Sequence, residues 1–577
     1  MKKKILPILV VFALIILIVA ITGISSLIKK YTPSDEREDL SSYYRITSDD
    51  QVAIVLNGVL CDSYGKRIGE HVYVDFTFVH DQLNPRFYWD SNENILLYAT
   101  SRDLIMAHAD SNNYSVSKAN MEYGRPIVKA TATSAYVDLD FVKQYSDFTY
   151  TFFAEPNRIV LTSQWGEYTV ASLKKDTSLR IKGGIKSPIL SDVVEKQSVT
   201  VLEPNESWTK VMTEDGITGY VLSNKLTATE TLERTSNFVP EAFSHITKDF
   251  NICMAWHQVF DRSANADVAS VLATTKGVNV ISPTWFYLND NNGGIKDLGS
   301  TDYVNYCHSQ GVEVWALVSN LENQEVSSTQ VLTHTSSRQN LVNQIVSVAI
   351  QYNLDGINLD FEALNREDVG DAYIEFVREL SIKCANNEIV LSVDNYVPTS
   401  YTSFYNRTEQ ALFADYIVIM GYDEHTWGSE EVGSNASLPW VRQGVIDTLS
   451  EVPSNQVILG MPFYAAVWIL TPEEGAGDNE DMDANIQYET SLKKCTMSSV
   501  NTLIKNHNAT KQWRSDVGQN IAEFKSGGDL YQIWVEDADS MDARLKLLDE
   551  YQLAGAAFWK LGQETRDIWD TIIKYIN

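Results

Sequence analysis

The chain is poor in cysteine, in histidine and in positive charge, and each shortage removes a class of function. Five cysteines in 577 residues (Cys61, Cys253, Cys307, Cys384, Cys495) lie far apart. With no CxxC pair and no disulfide-scaffold spacing, they read as small buried apolar residues. Nine histidines form no HExxH and no Cys/His cluster, so the sequence asks for no metal and no cofactor. Lys and Arg number 46 against 76 Asp and Glu, and a formal charge of -30 repels nucleic acid and anionic lipid headgroups. An apolar content of 44% argues for folded units, and the length suits about three or four of them.

The long apolar run stands at the amino end. Lys2, Lys3 and Lys4 precede residues 5–28, interrupted by Pro7, and Lys29 and Lys30 follow. About 24 residues rising ~1.5 Å each reach roughly 36 Å, enough to cross the ~30 Å hydrocarbon core. The expectation for 1–30 is an uncleaved single-pass membrane anchor. A cleaved signal peptide is the competing reading, although its apolar region is usually only about 7 to 15 residues. The lysine balance places the amino terminus inside and the rest of the chain outside the cytoplasm.

Residues 31–45 are polar and acidic and read as a linker, and 46–173 read as mostly β, with turn residues at short intervals. Within that stretch 72–100 (VYVDFTFVHDQLNPRFYWDSNENILLYAT) aligns with 135–163 (AYVDLDFVKQYSDFTYTFFAEPNRIVLTS), a duplicated strand, turn and hairpin. The module resembles the stalk-type domain found beside copper amine oxidases, and serves either as a structural stalk or as a wall-binding spacer. Residues 178–228 hold three short β-rich runs, 199–202, 208–212 and 219–222, separated by turn clusters. With Ser187, Pro188, Trp208, Gly216, Gly219, Tyr220 and Val221 this unit resembles a bacterial SH3 domain. Such domains bind cell-wall peptides or pack against a neighbour.

From 235 to 577 apolar β-branched runs alternate with helical stretches, which predicts parallel β/α units. Eight candidate strands, 252–256, 278–283, 312–318, 356–361, 389–393, 416–420, 457–461 and 555–559, fit one (β/α)8 TIM barrel. The fourth carries DGINLDFE at 355–362. Side chains two apart on a strand share a face, so Asn358, Asp360 and Glu362 point one way and Ile357, Leu359 and Phe361 the other. Crowded carboxylates raise one proton affinity, which makes Glu362 a candidate general acid; a solvated acidic edge is the alternative.

These eight residues resemble the DxxDxDxE signature of glycoside hydrolase family 18, the chitinase-like family. Asp355, Asp360 and Glu362 match, and Asn358 stands where most chitinases carry an Asp. The Asn variant is similar to the branch of bacterial spore-cortex and cell-wall N-acetylglucosaminidases. MGYDEH (420–425), ILGMPFYAAVW (458–468), LAGAAFWKLGQE (553–564), VNVISPTWFYL (278–288) and SLPW (437–440) agree with it. The resemblance implies a retaining mechanism in which the substrate's 2-acetamido oxygen attacks. Glu362 would then be the acid and later the base, Asp360 would hold the acetamido N–H, and Tyr422 would steady the acetamido oxygen. Asp355, Asn358 and Asp423 would join substrate binding, and Trp559 would floor the reacting sugar. Trp285, Tyr396, Phe463 and Trp534 are each a sugar contact or a core residue. The insertion at 470–537 is expected to wall the cleft, with an acidic solvated tip at 473–483.

The expectation is a membrane-anchored, extracytoplasmic glycosidase of a Gram-positive surface. Its partner would be an N-acetylglucosamine-containing polysaccharide, peptidoglycan before chitin. The alternative is a chitinase-like lectin that binds such glycans uncut.

Overall fold

The computed structural model describes residues 5–429, 431–472 and 488–576. It opens with the apolar helix Ile5–Tyr31, whose stretch Pro7–Tyr31 is exposed throughout and long enough to cross a membrane. The chain divides into two compact units. One holds Met1–Trp89, Ala107–Tyr114 and Asn120–Pro240, the other Asp90–Met106, Ser115–Ala119 and Glu241–Asn577.

The first unit is β-rich. Its seven-stranded sheet runs, in spatial order, Thr149–Phe153, Arg158–Thr162, Gln51–Leu56, Val59–Ile68, His71–Asp75, Ala135–Asp138 and Val128–Ala130. The repeat is visible in its capping chemistry: Asp75 and Asp138 each end a strand and accept a hydrogen bond from a backbone N–H of the helical turn that follows. A second seven-stranded sheet contains the strands Ser198–Glu203, Trp208–Met212 and Thr218–Leu222 around a core of Leu179, Leu190, Val211 and Val221.

Three boundaries differ from the sequence reading. Gly166–Ser172 pairs with Ser198–Glu203, so it belongs to the second sheet rather than to the stalk. The supposed linker is partly packed: Tyr44 is fully buried and its hydroxyl donates to the Gly216 carbonyl at 3.1 Å. The strand Ile95–Ala99, apolar on both faces, belongs to the other unit, where Ala99 packs on Ile382 and Phe413.

The second unit contains a closed barrel of eight parallel strands: β1 (Ile252–His257), β2 (Val280–Leu288), β3 (Glu313–Ser319), β4 (Gly356–Asp360), β5 (Val390–Tyr396), β6 (Tyr416–Met420), β7 (Val457–Pro462) and β8 (Gly555–Trp559). Pairing of β1 with both β2 and β8 closes it. All eight lie within a few residues of the predicted strands. Each is buried along nearly its whole length, as a strand covered on both faces must be. Between β7 and β8 an antiparallel sheet is built on Tyr464–Pro472 and Asp529–Val535, with helix Met497–Asn506 packed against it. It begins six residues before the predicted insertion, and the acidic tip at 473–483 lies outside the described residues.

The barrel unit buries many carboxylates, and desolvation raises the proton affinity of each. Asp415 is pushed up to about 6 and Glu379, paired with Arg338 at 2.7 Å, to about 7, and Asp360, Asp394, Glu362 and Glu536 are raised in the same direction. A carboxylate raised in the folded state binds its proton more tightly there than when unfolded. The stability this brings is complete below the unfolded value near 4 and is lost as pH rises through about 6 and 7. His245 and His257, lowered by burial, act in the opposite sense but are fewer. The urea midpoint of the barrel, followed by tryptophan fluorescence, is therefore expected to be higher near pH 5 than near pH 7.

Candidate active site

Strand alternation turns Asn358 and Asp360 into the barrel interior, and the chain leaves β4 at Phe361 to set Glu362 on its carboxyl-terminal rim. Asn320 at the end of β3 fixes the Glu362 backbone twice: its Oδ1 accepts from Glu362 N at 2.8 Å and its Nδ2 donates to Glu362 O at 2.9 Å. Glu362 faces a cavity of 280 Å³ lined by Asp360, Asp394, Tyr396, Tyr422, Asp423, Tyr464, Lys494 and Trp559, among others. A larger hollow of 940 Å³, lined by Lys248, Asn279 and Gln552, lies at the other end of the barrel, away from these carboxylates.

Burial raises the Glu362 carboxyl above its usual range; the Tyr396 hydroxyl, hydrogen-bonded to it, and the Lys494 ammonium pull it down, and Asp423 pushes it up. Asp360 is raised further, by burial first and then by Glu362 and Asp394, and its Oδ1 is buried with no hydrogen-bond partner. A carboxyl whose proton affinity is raised in this way, beside a buried second carboxyl, is suited to general acid chemistry. Tyr422, half-buried, lines the same cavity. Asp423 Oδ1 accepts from both the Tyr464 hydroxyl and Lys494 Nζ at 2.6 Å. Trp559 meets Trp256 edge to face at 5.7 Å.

Six of the sequence candidates line this cavity: Asp360, Glu362, Tyr396, Tyr422, Asp423 and Trp559. Asn358 sits just behind it, fully buried with its amide saturated. Its Oδ1 accepts from Trp256 Nε1 (2.8 Å) and Ser282 Oγ (3.1 Å), and its Nδ2 donates to Ser392 Oγ (3.1 Å) and Asp394 Oδ1 (2.7 Å).

Four candidates go elsewhere. Asp355 precedes β4 at the amino end of the barrel, where its carboxylate accepts from Val314 N and bonds His308 Nε2, both at 2.8 Å, so it ties strands together rather than touching sugar. Trp285 is the extra residue at a register shift in β2; fully buried, it donates to Asn265 and packs on Tyr303. Phe463 stacks on Phe558 at 5.1 Å in the core. Trp534 packs with Ala466, Trp468 and Leu492 in the inserted sheet.

Sequence reasoning missed Asp394, Tyr464 and Lys494. Asp394 was within reach, because it lies two residues before Tyr396 on the same face of β5. Tyr464 stands one place beyond Phe463, where the chain leaves β7. Lys494 comes from the inserted strand Tyr488–Thr496, and no motif announces it.

One His/Asp group, in the first unit, has ligating geometry among the described residues. His71, Asp138 and Asp140 bring ligand atoms within 4.8 Å. The Arg125 guanidinium bonds both carboxylates, at 2.7 and 3.1 Å, and so already supplies the cation.

A closed β/α barrel with an acid and a buried carboxylate at its carboxyl-terminal mouth defines a barrel hydrolase. Residues 252–564 match the model of glycosyl hydrolases family 18, and the chain belongs to that family of glycosidases. The uncharacterized glycosylase YvbX of Bacillus subtilis (strain 168) is 25% identical over 326 residues, covering 53% of this chain and 88% of that protein. The cortical fragment-lytic enzyme of the same organism is 25% identical over 273 residues, covering 45% of this chain and 59% of its own. The chain thus spans most of the length of the first and about three fifths of the second. Among solved structures, the Bacillus cereus spore cortex-lytic enzyme SleL gives a TM-score of 0.48 at 19% identity, covering 59% of this chain and 77% of that one.

Proposed function

We propose that the protein cleaves β-linked N-acetylglucosamine glycans by substrate-assisted, retaining catalysis, with peptidoglycan as the favoured substrate. The observation that carries this reading is the grouping of Glu362, Asp360 and Tyr422 around one cavity beside Trp559. Glu362 protonates the leaving oxygen. The substrate's acetamido oxygen attacks the anomeric carbon, Asp360 takes the acetamido N–H as charge develops on the ring, and Tyr422 donates to the acetamido oxygen. Glu362 then draws a proton from water, which opens the oxazolinium and restores the free enzyme. Asp423, anchored by Tyr464 and Lys494, orders the sugar, which stacks on Trp559.

Peptidoglycan is favoured over chitin by the cortical fragment-lytic relative, by the Asn358 variant and by the N-terminal modules. The apolar helix acts as an anchor. The β-rich unit then serves as a copper-amine-oxidase-N-like stalk followed by an SH3-like domain that holds the enzyme at a Gram-positive wall. Parallel digestion of purified peptidoglycan and chitin oligosaccharides by the full chain in detergent tests the preference; faster release from chitin would reverse it.

Tyr396 gives the acid assignment its own test. Its hydrogen bond favours ionised Glu362, so Tyr396→Phe should raise the proton affinity of the acid. Because Glu362 works protonated, the alkaline limb of kcat/KM should move upward, by about half to one pH unit. An unmoved or lowered limb would show that Glu362 is not the titrating acid.

A further inference from the structure

Asp394 is a buried carboxylate in the catalytic cavity that the mechanism above does not use. β4 and β5 pair in parallel, with Asn358 opposite Ser392 and Leu359 opposite Val393. One residue further along both strands, Asp360 and Asp394 stand side by side on the inward face, on strands about 4.8 Å apart. Asp394 is 3% exposed, and among the described residues its one hydrogen bond is the 2.7 Å contact from Asn358 Nδ2. The groups facing it are Asp360 and Glu362 from β4 and its end, Tyr422 after β6, and Tyr373 from the helix Ala372–Ala385. Among the described residues no cation pairs with it.

Two adjacent carboxylates without a cation cannot both ionise in a dry site. Asn358 bears on the same point. An aspartate there would press a third carboxylate against Asp394, whereas the amide donates to it.

We propose that Asp394 and Asp360 form one acid pair sharing a single proton, and that Asp394 supplies on β5 the titratable group that Asn358 removes from β4. This rests on the reading of Asp360 as the acetamido partner and makes Asp394 a positioning residue, because it acts through Asp360. When substrate binds, the shared proton settles on Asp394 and leaves Asp360 as the carboxylate that accepts the acetamido N–H. When the oxazolinium opens, the proton is shared again, and none leaves the pair during the cycle.

Sharing stabilises the singly protonated pair. Its lower pKa therefore falls below that of a lone carboxylate in the same surroundings. In Asp394→Asn an amide N–H, a far weaker acid than a carboxyl O–H, replaces the shared proton and holds ionised Asp360 less strongly, so Asp360 becomes protonated, and inactive, at higher pH.

The test uses the full-length chain in detergent and compares wild type, Asp394→Asn and the double variant Asn358→Asp/Asp394→Asn. The double variant returns the second carboxylate to β4. Each is assayed for kcat and KM against pH on an N-acetylglucosamine tetramer and for its thermal midpoint. Wild-type turnover tests the glycosidase reading separately from the pair. The expected result is a single variant that folds, keeps its KM, loses about tenfold in kcat and has its acid limb raised by about one pH unit, with both changes reversed in the double variant. An acid limb unmoved in the single variant, or a loss of kcat that the double variant does not relieve, would overturn the pair and leave Asp394 a structural residue.

Discussion

Glu362→Gln is expected to lower kcat by about 10²- to 10⁴-fold while glycan binding persists. The glutamine keeps the shape of the side chain and can still accept from Tyr396, but it has no proton to give the leaving oxygen. The backbone of residue 362, held twice by Asn320, is untouched, so the variant should fold as the wild type does. Loss of turnover without loss of binding separates an enzyme from a lectin. A lectin would bind equally well in both forms and release nothing in either. A variant that retained wild-type turnover would remove Glu362 from the chemistry altogether.

Asp360→Asn should cost about 10²- to 10³-fold in kcat, the magnitude expected when a preorganised group facing developing charge is lost. Asp360 lies in the barrel interior, where a neutral amide is easier to bury than a carboxylate, so the variant should fold at least as stably as the wild type, and its discriminating signature is in ligand binding. A thiazoline analogue of N-acetylglucosamine, which mimics the cyclised acetamido group, should bind the wild type more tightly than the parent sugar does and lose that advantage in the variant. Equal loss for the analogue and the parent sugar would mean that Asp360 contacts the ring rather than the acetamido group.

The parts of this protein legible in sequence were those governed by local periodicity. All eight barrel strands could be read because each is a short apolar run covered on both faces, and Asn358, Asp360 and Glu362 could be placed because alternation on one strand fixes direction. The same rule, applied to β5, would have given Asp394 with Tyr396. The misplaced residues mark where local rules stop. Trp285 stands at a register shift within β2 and takes the core role of its two alternatives, and of the neighbours Phe463 and Tyr464 it is Tyr464, beyond the strand end, that lines the cavity. Asp355 shares the motif but stands at the wrong end of the strand, a distance of five residues from Asp360 along a rise of about 3.3 Å each. Lys494 reaches the cavity from an inserted sheet whose pairing joins segments far apart in sequence, and no pattern within either segment encodes it.

The central claim is that this barrel cuts after N-acetylglucosamine using that sugar's own acetamido group. The most direct measurement is mass spectrometry of the ends released from purified peptidoglycan by the full-length enzyme, beside Glu362→Gln. The account predicts new reducing N-acetylglucosamine ends with the wild type and none with the variant. Reducing N-acetylmuramic acid ends, or binding by both proteins with no release, would contradict it.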